Sequence, residues 1–450
     1  MTRSDAAPAI PGAISVKDDW EIKRLKWSVE SAKNGVWGDD PIGNADDIKC
    51  IRVADFNRVK MSVVDIPTIR NVRKFDRNGR LVLPGDLLLE KSGGGEVQPV
   101  GAVAMYLGEE PAVCSNFVAR VSCAPNTDGR FFLYVHAALY SSRINVRSIK
   151  QTSGIQNLDA NAYFSEFVAY PPIAVQRDIA DFLDRETAEA DALVAKYERL
   201  IELFEEKRVA LVTQAVTEGF DPSVPMKDSG VEWISKIPAH WQVQRLSRVF
   251  KTIGSGTTPP AAEEEWYGGD MPFVTTAELR ENIIVESAKS VTTSALRQFS
   301  SLRVYPPGTL LLAMYGATIG RSAILGVPAT VNQACCALGG STIVSTDFAF
   351  KWFQAYRSEI TALGVGGGQP NISQDLVRAL LIPIPPLDEQ QSIKKHLDTE
   401  LLHIDKLRSR VNNAIKLAKE HRSALITAAV TGQIDVSTYR SNKHPIEVPA

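Results

Sequence analysis

Two stretches of the chain carry apolar residues at a spacing of seven, inside otherwise charged sequence. In the first, Leu183, Ala190, Tyr197, Phe204 and Leu211 form one column, with Leu193 and Leu200 beside it. In the second, Leu397, Ile404, Val411, Ala418 and Leu425 repeat that column, with Leu407 and Ala414 beside it. Each stretch opens on a Pro-Pro pair, which stops the preceding element, and meets no further proline or glycine until Gly219 or Gly432. The pattern predicts two helices of roughly 40 residues, about 60 Å long at 1.5 Å per residue. Sustained heptads with charged flanks predict that they pack on each other as a coiled coil. Such lengths are several times the typical globular helix.

The two stretches align without a gap at an offset of 214: Gln176 falls on Gln390, Arg208 on Arg422 and Asp221 on Asp435. The repeat extends beyond the helices. Trp20 and Leu25 of WEIKRL correspond to Trp241 and Leu246 of WQVQRL, and PGDLLLEKSG (84–93) corresponds to PGTLLLAMYG (307–316). The latter pair reads as a turn, a buried strand and a loop. A period this long makes the chain two copies of one unit, a globular segment followed by a long helix. The expected layout is a disordered tail at 1–15, a first globular segment at 16–169 and a first long helix at 170–220. A linker with the second globular segment follows at 221–384, a second long helix at 385–435 and a tail at 436–450. The expected fold class is α+β: two mixed α/β domains separated by two long antiparallel coiled-coil helices, with a pseudo-two-fold internal repeat. Between the matched segments the loops diverge, SGGGEVQPVG (92–101) against YGATIG (315–320), so a shared scaffold would carry different recognition surfaces.

Composition adds limits. The chain has 450 residues, 44% of them hydrophobic and 23% charged, the profile of an ordinary globular protein. No run of about 18 apolar residues and no signal-peptide pattern occur, so a cytoplasmic location without membrane contact is expected. The five cysteines show no CxxC spacing, which predicts buried thiols rather than zinc or disulfides. Net charge is −2, so any nucleic-acid surface must be a local patch.

One such patch is Ile48–Arg80, where nine Lys/Arg face three acids. Arg58, Lys60, Arg73 and Lys74 are its candidate phosphate contacts; a solvated strand-and-turn surface is the alternative. Glycine-bearing loops place Lys91 and Ser92 in the first copy, and Tyr315, Thr318 and Arg321 in the second, where close approach to a nucleic-acid groove is feasible. GSGTTPP (254–260) presents Thr257 and Thr258, followed by Trp266 and Tyr267, either as a contact surface or as a capped turn on packed aromatics. Gln369, in GVGGGQPN (364–371), has the amide that pairs with adenine. Asn371 matches Asn157, which favours a structural role for both. Catalytic motifs are missing: no GxxxxGK[ST], no NPPY-type tetrapeptide, no HExxH, no GxSxG. Glu205-Glu206-Lys207 superficially offers an ExK nuclease fragment, but it lies on the heptad helix with Lys207 at a seam position, which argues against that reading. Six scattered histidines show no ligand spacing.

Taken together, GTTPPAAEEEWYGGDMPFVTTAEL (256–279), the two PG-LLL segments, SGVEWISKIPAHWQVQRL (229–246), IPPLDEQQSIKKHLDTELLHIDKL (384–407) and ITAAVTGQID (426–435) closely resemble the specificity subunit of type I restriction–modification systems. The likeness spans nearly the whole chain. It is looser in the first globular segment, which reads NGVWGDDPIG (34–43) where the second has its GTT turn. The resemblance implies two target-recognition domains, each binding half of a bipartite, asymmetric sequence in double-stranded DNA, with the helices fixing the spacer. It implies docking of two modification subunits that use S-adenosylmethionine to methylate adenine N6, and of restriction–translocation subunits driven by ATP with Mg2+. No catalytic site and no cofactor would belong to this chain. A self-sufficient DNA methyltransferase or nuclease is the competing reading. Val194, Ile201, Leu401 and Ile415 are candidates for broadening the helical seam or for contacting the modification subunits.

Overall fold

The computed structural model describes residues 9–10, 20–152, 154–364 and 371–436. The chain divides into two compact units, one formed by Met1–Glu198 with Asn412–Ala450 and the other by Arg199–Val411.

The first unit is built on a five-stranded sheet of β1 (Val29–Asn34), β2 (Ser62–Val63), β3 (Leu87–Glu90), β4 (Val103–Tyr106) and β5 (Val118–Cys123), in the order β1-β5-β3-β4-β2. The second unit has β6 (Thr252–Ser255), β7 (Asn282–Ile284), β8 (Leu310–Ala313), β9 (Ser322–Leu325) and β10 (Cys335–Gly339), in the order β6-β10-β8-β9-β7. The two orders are the same path. In both, the outermost short strand pairs parallel with its neighbour while the other pairs are antiparallel. The central strands are the predicted apolar runs: every residue of LLLE in β3 and LLLA in β8 is buried. Gly85 and Gly308 enter them with positive φ, as the Pro-Gly turns require.

A helix leans on each sheet: α1 (Gly129–Ser141) in the first unit and, past α2 (Ile173–Thr217), α3 (Thr346–Ala355) in the second; α4 (Leu387–Val430) closes the described chain. The matched glutamines tie these layers together. Buried Gln176 accepts from Asp128 N at 2.9 Å and donates to Pro171 O at 2.8 Å, while Asp128 caps α1. Buried Gln390 accepts from Ser345 N at 2.7 Å and donates to Pro385 O at 2.9 Å, while Ser345 caps α3. One side chain thus holds the start of a sheet-covering helix against the start of a long helix, in both copies.

The long helices run through both units and pair antiparallel in each. In the first unit Arg422 meets Asp191 at 3.0 Å and Lys419 meets Glu198 at 3.4 Å. In the second, Arg208 meets Asp405 at 3.0 Å and Arg408 meets Glu205. The Arg422–Asp191 and Arg208–Asp405 pairs are equivalent under the repeat. The seam is the predicted column plus a second one that differs from the predicted neighbour. Leu193 is exposed, whereas Thr187 and Val194 are buried and Ile201 and Arg208 half-buried. In α4 the same column runs through Leu401, Arg408, Ile415 and Arg422. Steps of three and four residues, rather than a fixed offset of three, keep both columns on one face.

In each unit one face of the sheet closes a hydrophobic core with the covering helix and both long helices, and the other face closes a separate one. Trp20, Phe131, Leu183 and Val430 belong to the core of the first unit, and Trp241, Phe348, Val216 and Leu397 to that of the second. Residues 226–238, expected as linker, form an antiparallel hairpin whose Trp233 packs on Trp352 and Tyr356. Trp and the β-branched Ile and Val outweighed the prolines there. Ala9 and Ile10, expected in a disordered tail, are buried, and Ala9 N donates to Phe167 O at 2.8 Å. The rest of 1–15 and the tail from residue 437 lie outside the described residues. Among the described residues no helix is long and apolar enough to cross a membrane.

Candidate nucleic-acid interface

The basic window of the first unit separates into parts with different uses. Arg58 is an internal ion pair: its guanidinium meets the buried carboxylate of Glu90 at 2.9 Å, beside Tyr140. Burial pushes the Glu90 carboxyl up and Arg58 pulls it back. A guanidinium committed in this way is not a free phosphate donor, so Arg58 is corrected from contact to structural residue. Exposed Lys60 lines a cavity of about 630 Å³ on the side of the long helices, with Asp184, Asp191 and Arg422. It is therefore set apart from the loops that carry the other candidates. Acids from outside the window consume more of its charge. Lys49 pairs with Glu110, Arg70 with Asp40 and Arg77 with Asp46. Counting charge along the chain overestimated the patch, because sequence-distant acids fold against it.

What remains forms one face. Arg80 donates from Nε to Asn34 O at 3.2 Å, and Lys91 donates from Nζ to Asn34 Oδ1 at 2.8 Å. Asn34, the last residue of β1, therefore joins the 73–80 loop to the loop after β3. Exposed Lys33 leans over Gly79, whose hydrogens face its ammonium. Arg73, 78% exposed at its side chain, pairs with Asp76 at 2.9 Å, and Lys74 is exposed. Ser92 donates to Asn157 Oδ1 at 2.6 Å across a strand pair, so its hydroxyl is partly spent on the scaffold. Lys33 and Asn34 were missed in the sequence because they precede the basic window. The clue was their alignment with the residues just before the GTT turn.

That alignment holds in the backbone. A Cβ on Gly35 would overlap Cys114 O, and one on Gly256 would overlap Val331 O. Both turns let the chain pass directly over a neighbouring strand. In the second unit the equivalent loops carry hydroxyls and amides, with exposed Glu263, Glu264 and Glu265 beyond them. Thr258 donates to Gln333 Oε1, and Thr257 is half-buried. Tyr315 is 42% exposed and bridges to Asn371, and Thr318 donates to Tyr315 O at 2.9 Å. Arg321 is half-buried, its Nε enclosed without a protein partner. Asn371 and Asn157 are thus strand partners of Tyr315 and Ser92. Trp266 bonds Glu263 at 2.6 Å and meets Phe299 edge-to-face, while Tyr267 bonds Pro259 O at 2.6 Å. The packed-turn reading holds for these two aromatics. Gln369 lies outside the described residues.

Of the long-helix candidates, Val194 and Leu401 are 8% and 5% exposed, so of the two roles open to them both take the seam. Ile201 and Ile415 are half-buried. The apolar residues that face outward are others: Leu193 and Leu417 in the first unit, and Leu203, Val209 and Leu402 in the second. Among the described residues no group of three or more His, Cys, Asp or Glu is placed to hold a metal ion.

Comparison with known proteins agrees with this architecture. The sequence model of the type I restriction modification DNA specificity domain matches residues 238–417. The chain is 21% identical to the EcoBI type I restriction enzyme specificity subunit of Escherichia coli, over 94% of this chain and 88% of that protein. It is 30% identical to the MjaIX specificity subunit of Methanocaldococcus jannaschii over 36% of this chain and 38% of that one. Two solved structures share the fold. A chain from a type I R-M system studied for complex assembly and conformational transition superposes with a TM-score of 0.67 at 15% identity, covering 93% of this chain and 99% of that one. The HsdS subunit from Thermoanaerobacter tengcongensis does so with a TM-score of 0.54 at 16% identity, covering 94% and 99%.

Proposed function

We propose that the chain is a specificity subunit of a type I restriction–modification system, as the match of the DNA specificity domain model to residues 238–417 supports, and that it reads a bipartite, asymmetric sequence in double-stranded DNA, one half-site for each unit. The observation that carries the proposal is the repeat with unequal faces. One sheet path and one glycine crossing occur twice. They present Lys33, Arg80 and Lys91 in the first unit and Thr258, Gln333 and Tyr315 in the second. Equal scaffolds give equal docking modes, and unequal surfaces give unequal half-sites.

The long helices set the spacer between half-sites, because both run through both units. Their outward Leu193, Leu203, Leu402 and Leu417 offer apolar contact to two modification subunits. Those subunits carry S-adenosylmethionine and flip the target adenine, and ATP and Mg2+ serve the restriction–translocation subunits. This chain contributes positioning alone.

The test is a duplex-retention assay with the chain and its modification subunits, using a random-sequence pool. Two unequal half-sites at a fixed spacing are expected, and excising one heptad within 185–205 should change that spacing or abolish binding. Methyl transfer by the purified chain alone, or an unchanged spacing, would overturn the proposal.

A further inference from the structure

Phe75 is 84% exposed, on the loop that carries Arg73 and Lys74. An aromatic ring left in water at a loop tip is ordinarily a sign of a loose loop. This loop is tied at its base. Arg77 donates to Val72 O at 2.6 Å and Ala45 O at 3.3 Å, and pairs with Asp46 at 3.5 Å. Arg80 donates to Asp76 O at 3.0 Å and Asn34 O at 3.2 Å. Arg120 reaches Gly79 O at 3.4 Å. Successive turns from Arg73 O to Arg80 N close the backbone. Three guanidiniums thus hold the shape, while the tip presents a ring beside exposed Lys74 and the exposed Arg73–Asp76 pair.

We propose that Phe75 is a wedge that enters a base step of duplex DNA, while Arg73, Lys74, Lys33 and Lys91 hold the flanking phosphates. This rests on the reading of the first unit as a DNA-recognition domain. The ring is sited for it: through Arg80 and Asn34 its loop is bonded to the loop of Lys91, so wedge and cations share one face. Apolar side chains inserted at a base step unstack it and bend the duplex, and cations on either side stabilise the sharpened bend. A protein partner fits less well, since the ring stands beside exposed Lys74, and lysine is depleted from the centres of protein interfaces.

The test uses the full chain assembled with its modification subunits and a duplex containing the sequence that the assembly methylates. 2-Aminopurine is placed in turn at half-site positions other than the methylated adenine. A fluorescence rise at one step on binding is expected. Phe75→Ala should abolish the rise and weaken binding about tenfold, the scale of one base–aromatic stack. Phe75→Trp should keep both. Lys74→Ala should keep the rise and lower the slope of affinity against salt by about 1. If Phe75→Ala binds and unstacks DNA like the parent, the wedge is wrong while the DNA-reading proposal stands. If Phe75→Ala instead loses its modification subunits and keeps DNA affinity, the ring is a protein contact and the wedge is again wrong. An assembly that retains no duplex sequence-dependently overturns the DNA reading itself.

Discussion

The two units solve one packing problem with different side chains. Counted from their capped first turns, Phe131 of α1 corresponds to Phe348 of α3, which sets Tyr134 against Lys351 and His136 against Phe353. In the first unit Tyr134 bonds Asp184 at 2.8 Å, and in the second Lys351 is half-buried near Asp398, with partial burial lowering its ammonium pKa. Trp241 donates its indole N–H to Glu389 at 3.0 Å, whereas the indole nitrogen of Trp20 is enclosed without a partner. The residue equivalent to Glu389 under the 214 offset is Val175. The difference teaches that the repeat preserves the backbone path, and preserves polar pairing at the helix starts and at the Arg–Asp pairs of the seam, while polar partners elsewhere changed. Gln176 and Gln390 kept their bonds because each closes a helix start.

The strongest challenge to that equivalence is at the glycine crossings. Gly35→Ala and Gly256→Ala each drive a Cβ into a carbonyl oxygen. Each should cost about 3 kcal/mol or more, read as denaturant unfolding of the unit that carries it. A tolerated alanine at only one would show that the two crossings are not the same device.

Next in size is a difference in pH response. His136 is buried against Tyr163 at 2.8 Å, and burial lowers its pKa to about 4. The unfolded chain takes up a proton near pH 6.5 and the folded unit does not until about pH 4. Stability of the first unit should therefore fall as pH drops through that window, by about 2 kcal/mol between pH 7 and pH 5. His136→Phe, which installs the residue of the second unit, should remove this share of the slope. The described histidines of the second unit, His240, His396 and His403, are exposed. An unchanged slope in the variant would assign the response to other groups.

Exchanging the tryptophan partners is a smaller perturbation. Glu389→Val should destabilise the second unit by about 1 kcal/mol, because it leaves the Trp241 indole as unsatisfied as that of Trp20. Val175→Glu should recover part of that amount in the first unit, and a loss there would show that the two pockets differ in shape as well as polarity. The smallest effect is on DNA. Lys91→Ala should lower the logarithmic salt slope by about 1, while Thr258→Ala should leave it unchanged. Equal slopes would remove the electrostatic contrast between the two faces.

The repeat, the sheet-forming LLL runs and the long helices were legible because they rest on periodicity, turn residues and gapless alignment. The hairpin at 226–238 was hidden by its prolines, and the burial of Ala9 and Ile10 by an Ala/Pro composition that carries no period. The interface was legible only in part. Local charge and glycine context made Lys74 and Lys91 candidates, and the fold leaves Lys74 exposed and bonds Lys91 to Asn34. Arg58 could not be told from them, because Glu90 reaches it from 32 residues away in sequence. Val194 and Leu401 were left open between seam and docking for a related reason: the seam's second column follows alternating steps of three and four, which a fixed offset misses.

The division of the long helices sets an order of assembly. The second unit is one uninterrupted stretch, Arg199–Val411, so a growing chain can close its core before α4 is finished. The first unit cannot close so early. Its core includes Ile426, Ala429 and Val430, the last turns of α4. From the emergence of residue 198 until those turns are made, the apolar face of the earlier-synthesised half lacks its lid, open to aggregation or to capture by another molecule. The half that begins synthesis first is the half that finishes folding last.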